Sequence, residues 1–374
     1  MWRPNASASR ILVLLMVLFS MSAGAREVVD VTGRTVVVPD HVERVLLGEG
    51  RLIYSLALLE RSDLTERVVG WQGDFRMLDV QGYQAFQRSF PDMAEIPLVG
   101  GSSAQTFSVE KALALAPDVV FLTVTGGHGP GSGSAAVRQL EKASVPVVYV
   151  DFSAHPLTNT LPSIRAMGQV LERDKEAEAF IRFYRQQLKR VASVLDSARE
   201  APEFHRPTVF LDMLAGLRDC CGSPGEGNLG ELIALAGGEN IGAKLIPGPF
   251  GTLNPEYILT RDPEVYIATG VFAGDQGGVT LGYQATRAAA RRSLEAVAHR
   301  DATSALTSVR EGRVYGLWHI FYDSPEHFLA VQALARWLHP ELFPNLDPYA
   351  TRAEFYRRFM PIPETGVLFT ELSR

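Results

Sequence analysis

The sequence predicts an α/β protein of two lobes, each built on a mainly parallel sheet, with one long helix between them. Three observations carry this reading. Short β-branched runs alternate with helical patterns over residues 44–150 and again over 207–318, the signature of strands covered by helices. Between these regions, Asp174–Ala198 has apolar positions at helical spacing and contains no Pro or Gly. Finally, one helix–strand unit of the first half recurs in the second at matching spacing.

The elements follow in chain order. Residues 1–25 read as a secretory signal: Arg3 and Arg10 precede the apolar run Ile11–Phe19, and Ala23-Gly24-Ala25 forms a small-residue cleavage pattern, so the mature chain is expected to begin at Arg26. Residues 26–40 alternate around Thr32-Gly33-Arg34 as a hairpin. Strands are expected at 44–47, 68–71, 118–124 and 146–150, with helices at 51–60, 109–115 and 135–143. Two long helical patterns, 157–171 and 174–198, come next. The second would run about 37 Å at 1.5 Å per residue, enough to act as a strut. Strands at 207–213, 264–269 and 312–318 then alternate with helices at 231–236, 256–260 and 285–299. Helices at 325–338 and 348–359 close the chain. The domain reading is therefore 1–25 signal, 26–156 first lobe, 157–200 bridge, and 201–374 second lobe with its C-terminal helices.

Composition excludes several classes. The chain has 374 residues, 46% of them hydrophobic and 21% charged, with a net charge of -6. A packed core is affordable, and a basic nucleic-acid binder is not indicated. No apolar run reaches the roughly 18 residues of a membrane span. Cys220 and Cys221 are the two cysteines, too few for a disulfide scaffold. A disulfide between these neighbours, a bridge between chains and two free thiols all remain open.

The recurring unit pairs Ser108-Val109-Glu110 with Asn254-Pro255-Glu256, each followed by Leu, Pro, an acid and Val at the same offsets. Ser108 and Asn254 suit N-caps. Glu110 and Glu256 fall in the first helical turn, where the helix dipole favours an acid. Two readings stand: dipole compensation, or equivalent acids on two lobes that face one partner.

Several stretches together resemble a known family. They include VVDVTGRTVVVP, RVLLGEGRLIYSLALLE, FSVEKALALAPDVVFLT, GELIALAGGENIG, NPEYILTRDPEVYIATG and VREGRVYGLWH. In order and spacing they are similar to the periplasmic substrate-binding proteins of ABC importers for iron–siderophore, haem and cobalamin. The resemblance spans essentially the whole mature chain. It implies two Rossmann-like lobes joined by a rigid helix, a ligand cleft between them, and little hinge motion. It also implies that Glu110 and Glu256 dock onto an ABC permease with its ATPase.

Ligands in open α/β sheets lie beyond the carboxyl ends of strands. That rule selects Arg51, Trp71, Phe75, Arg76, His128 and Phe152 in the first lobe. In the second it selects Arg218, Phe272, Trp318, His319 and Tyr322. Aromatic rings suit a bulky, partly apolar chelate, and arginines suit its anionic groups. Trp71 and Trp318 have a second reading as core, Arg51 as a partner of Glu49, and His128 as a loop residue.

Catalytic signatures are missing: there is no GxxxxGK[ST], no G-x-S-x-G and no HExxH. The histidines lack metal-ligand spacing. The expectation is a periplasmic solute-binding protein rather than an enzyme, monomeric, without catalytic residues, resident metal or cofactor. Its ligand would be an iron–siderophore-type chelate, with haem, cobalamin or a small oxyanion as alternatives. A secreted α/β enzyme using the same cleft, with Cys221 as its thiol, is the competing class; a sensory receptor in place of the permease is another possible partner.

Overall fold

The computed structural model describes residues 24–131, 133–272 and 277–372. The signal-sequence reading therefore lies almost wholly outside the described residues. The chain opens with the expected hairpin, β1 (Ala25–Val29) paired antiparallel with β2 (Thr35–Pro39). Asp30 holds its turn: Oδ1 accepts from the Thr32 and Arg34 backbone N–H groups.

The first lobe carries β3 (Val45–Leu47), β4 (Val68–Gln72), β5 (Leu98–Gly100), β6 (Val119–Thr123) and β7 (Val147–Val150). They form one parallel sheet in the order β5-β4-β3-β6-β7. Every residue of β3, β6 and β7 is buried, as expected of strands covered on both faces. The second lobe carries β8 (Thr208–Asp212), β9 (Gly222–Pro224), β10 (Glu239–Asn240), β11 (Phe250–Thr252), β12 (Val265–Gly270), β13 (Val314–Trp318) and β14 (Phe369–Glu371). Its main sheet runs β10-β8-β12-β13-β14, parallel except for β14, while β9 and β11 make a separate antiparallel pair.

The two halves thus have separate sheets, as predicted. In each, the winding reverses once: between β3 and β6, and between β8 and β12. Ligands bind at such reversals, beyond the carboxyl ends of the strands.

The long helix spans Asp174–Ala198, 25 residues. It follows Pro156–Leu171 through Glu172, which adopts a left-handed φ of 58°. It touches the first lobe at helix Ile53–Glu60 and the second at helix Phe328–Leu338. Phe180, Phe183 and Tyr184 supply the contact with the second lobe, with Phe183 edge-on to Phe328 at 5.6 Å between ring centres and Phe180 edge-on to Phe359 at 5.8 Å. One apolar core runs from the first sheet through this helix into the second. Among the described residues, no helix is long and apolar enough to cross a membrane.

The sequence reading did not anticipate helices Asp74–Leu78, Val80–Ser89 and Thr307–Arg310, or strands β5, β9, β10, β11 and β14. The first two matter most, because they pack beside the cleft.

Candidate functional site

Two compartments, of about 570 and 480 Å³, lie between the lobes. Arg51 and Tyr322 line both, so these two side chains form a saddle between them. The larger compartment sits at the β3/β6 reversal, bounded by Glu49, Thr123 and Gly126 of one lobe and by Phe250, Tyr322 and Asp323 of the other. The smaller sits at the β8/β12 reversal, bounded by Leu214, Arg218 and Phe272 and, across the gap, by Met77, Leu78 and Val80. A third cavity of about 710 Å³ beside β10 is lined by the second lobe alone.

The saddle is a buried charge cluster. Gly50 has no side chain because a Cβ there would come within 2.5 Å of the Gln72 carbonyl oxygen. Its N–H donates to Asp74 Oδ1 at 2.5 Å. Arg51 then donates from Nε to Asp323 Oδ2 at 2.8 Å, with Asp74 Oδ2 at 3.5 Å. Arg51 and Asp323 come from different lobes, so this ion pair ties the lobes across the cleft floor. The guanidinium also lies 5.4 Å from the centre of the Tyr322 ring, within cation–π range.

Glu49 lines the larger compartment and accepts a hydrogen bond from the Thr123 hydroxyl. Burial, reinforced by the Asp323 charge, raises its pKa to about 8. Burial likewise raises Asp74 and Asp323, against the pull of Arg51. His319 goes the other way: burial, aided by the Arg51 and Arg218 charges, lowers it to about 3. Its imidazole is therefore neutral, with Nδ1 at 3.0 Å from the Thr269 hydroxyl and its ring 4.8 Å from Tyr322.

Of the predicted ligand residues, the structure brings Arg51, His128, Arg218, Phe272, His319 and Tyr322 to the two compartments. His128 sits at the edge of the larger one with both ring nitrogens engaged, by Ser134 Oγ at 2.9 Å and the Ala104 carbonyl at 3.0 Å. Trp71, Phe75, Phe152 and Trp318 are core residues, at most 1% exposed, and line neither compartment. The helices at 74–89 are the physical reason in the first lobe: Tyr83 and Phe86 pack edge-on against Phe75, and Tyr83 does so against Trp71. Trp318 is boxed in by Tyr54, Tyr283 and Phe321. Arg76 is half-buried and stacks over Tyr83, 5.1 Å from its centre, rather than facing the cleft.

The sequence reading missed Asp323, and did not single out Glu49, Gln72 and Asp74 from their loops. It also missed Asn228, which is fully buried at a φ of 53°. Its Nδ2 donates to the Ser153 carbonyl at 2.5 Å and the Tyr322 carbonyl at 2.9 Å, joining the two lobes beside the cleft. A non-glycine in the left-handed region is held there only by strong local constraint.

Cys220 and Cys221 are joined to each other as a disulfide, two residues beyond Arg218. Glu110 and Glu256 are exposed in the first turns of helices Val109–Ala114 and Pro255–Arg261, behind N-caps Ser108 and Asn254. These helices run back toward the starts of β6 and β12, so their N-termini lie on the cleft-bearing face of each lobe. Among the described residues, no group of three or more His, Cys, Asp or Glu could hold a metal ion.

Two α/β lobes, a bridging helix and a cleft at both winding reversals define a two-lobed ligand-binding protein. The sequence profile of the periplasmic binding protein family matches residues 76–319. The chain belongs to that family, the substrate-capturing components of ABC importers, as the resemblance implied. The crystal structure of the TroA-like periplasmic binding protein FepB from Veillonella parvula is 28% identical, with a TM-score of 0.83 over 93% of this chain and 99% of that one. The molybdate-bound MolA structure of Haemophilus influenzae is 18% identical, with a TM-score of 0.68 over 91% and 99%. The curated molybdate-binding protein MolA of that organism is 24% identical over 284 residues, 69% of this chain and 73% of that protein. A periplasmic haem-binding protein of Pseudomonas aeruginosa shares the fold at a TM-score of 0.57 and 18% identity, over 89% and 99%.

Proposed function

We propose that this protein captures a bulky metal chelate of the iron–siderophore type in the periplasm and delivers it to an ABC permease. The observation that carries the ligand size is the pair of adjoining compartments, about 570 and 480 Å³, which share Arg51 and Tyr322. Each alone is the size of a drug-sized ligand pocket, and a tetrahedral oxyanion would leave most of that space empty. The apolar wall supports the same reading. Met77, Leu78, Val80 and Phe272, between 44% and 57% exposed, all line the smaller compartment. Exposed apolar side chains converging from two lobes mark a binding surface.

Relatives named for molybdate and for haem show that this fold serves different cargoes. Cleft size favours the bulky ones here. Glu110 and Glu256 are proposed as the permease contacts, since each stands on the cleft-bearing face of its own lobe.

The test is a thermal-shift panel of ferric chelates, haem, cobalamin and molybdate on the mature chain. A ligand at 100 times its dissociation constant adds about 2.7 kcal/mol of stability. At least one bulky ligand is expected to raise the melting temperature. Stabilisation by molybdate alone would overturn the reading.

A further inference from the structure

The cleft has a charge balance that restricts which chelate it can hold. Its larger compartment is lined by three carboxylates, Glu49, Asp74 and Asp323, against one guanidinium, Arg51. That guanidinium already faces two of the acids, Asp323 at 2.8 Å and Asp74 at 3.5 Å. A second observation points the same way. Gln72 lines this compartment, is only 3% exposed, and its Oε1 has no hydrogen-bond partner. A buried acceptor left unpaired is costly, and a donor turned toward it from this compartment would relieve that cost. An incoming anion thus meets two acids that already engage Arg51 and, once the pH passes about 8, a third negative charge on Glu49, while the unpaired Gln72 acceptor favours a donor.

We propose, building on the function proposed above, that the cleft selects uncharged or cationic chelates whose periphery carries N–H or O–H donors, and rejects polyanionic chelates and oxyanions. The donor-bearing end enters the larger compartment beside Glu49 and Gln72. The apolar body crosses the Arg51–Tyr322 saddle and rests on Leu78, Val80 and Phe272. Such a ligand leaves the interlobe Arg51–Asp323 pair intact, whereas an anion would compete with Asp323 for Arg51. The sequence reading, in which the arginines serve anionic groups, is replaced for Arg51 because its charge is already matched. Arg218 is exposed and lines the other compartment.

The charged and titratable groups facing Glu49 are Arg51, Asp74 and Asp323, with His128 and Tyr322 on the same compartment. Glu49 gains its negative charge as pH passes about 8, so a cationic ligand should bind more tightly above that pH than below it.

Four probes test the proposal by calorimetry: a ferric trihydroxamate with a terminal ammonium, the same chelate acetylated to neutrality, a ferric triscatecholate trianion, and molybdate. At about pH 9, with Glu49 ionised, the ammonium chelate is expected to bind about tenfold tighter than the acetylated one, the scale of one close charge pair. The trianion should bind weakest of the three chelates. Glu49→Gln should erase the ammonium preference while both trihydroxamates still bind, and Glu49→Asp should keep it. Tighter binding of the trianion or of molybdate, or an unchanged preference in Glu49→Gln, overturns the charge inference and leaves the carrier reading standing. Failure of all three chelates, together with haem and cobalamin, overturns both.

Discussion

At the residue scale, buried acids set the protein's pH response. Glu326 is fully buried, with Oε1 unpartnered and Oε2 accepting from the Tyr356 hydroxyl at 3.3 Å. Burial raises its pKa from 4.5 to about 7, despite nearby Arg352. A raised carboxyl pKa means that the folded state holds the proton more tightly than the unfolded one. Its stabilisation is full below pH 4.5 and is lost as pH rises through 7. His327 opposes this: burial lowers it to about 4, so stability from its neutral form is lost as pH falls below 6.5. The two effects separate in a variant. Glu326→Gln should match the wild type in thermal stability near pH 4.5 and exceed it increasingly toward pH 7. A constant offset across that range would contradict the assignment.

The same scale shows what the sequence could and could not reveal. Arg51, Arg218, His319 and Tyr322 were legible because they follow strands at the carboxyl ends, where the fold opens. The rule gives a residue's height along the sheet but not what later covers it. Trp71 and Phe75 satisfy it equally, yet Tyr83 and Phe86 close over them. Asp323 gains meaning only from a partner distant in sequence, meeting Arg51 across 272 positions. No local pattern carries such a pairing.

At the element scale, long uninterrupted periodicity was the strongest signal. The bridge helix is found over the predicted Asp174–Ala198, because one apolar face repeats for seven turns without a breaker. Helix Val80–Ser89 was missed because Gln81, Gln84, Gln87 and Gly82 dilute its pattern, and its N-cap, Asp79, is legible only once the helix is known. The bridge meets the second lobe chiefly through rings. Phe183 packs against Phe328, Phe355 and Phe359 at centroid distances of 5.1 to 6.2 Å. Phe183→Ala should therefore destabilise the protein by about 3–5 kcal/mol in chemical denaturation, as for other large-to-small core changes. A loss of only a few tenths would mean that this contact does not join strut to lobe.

At the scale of the whole molecule, the lobes share one core through the strut and are tied again across the cleft by Arg51–Asp323 and by Asn228. Close-packed joints of this kind resist large relative motion, so ligand must enter an already formed crevice. On the proposed function, capture and delivery would use different surfaces: the crevice interior for the cargo, and the exposed Glu110 and Glu256 for the permease. Acids on a rim fix register and speed encounter more than they add affinity. The repeated helix–strand unit was legible as local structure: its N-caps Ser108 and Asn254 are both found in place.

The separation of these surfaces can be measured in one comparison of the wild type with a Glu110→Gln, Glu256→Gln double variant. Uptake of a ferric chelate is followed in cells that carry the partner permease, and affinity for that chelate is measured on the purified chains. The double variant should lose uptake and bind the chelate as tightly as the wild type. Undiminished uptake, or an affinity that falls along with it, would contradict the account of a binding protein that holds its cargo between the lobes and hands it on through their rims.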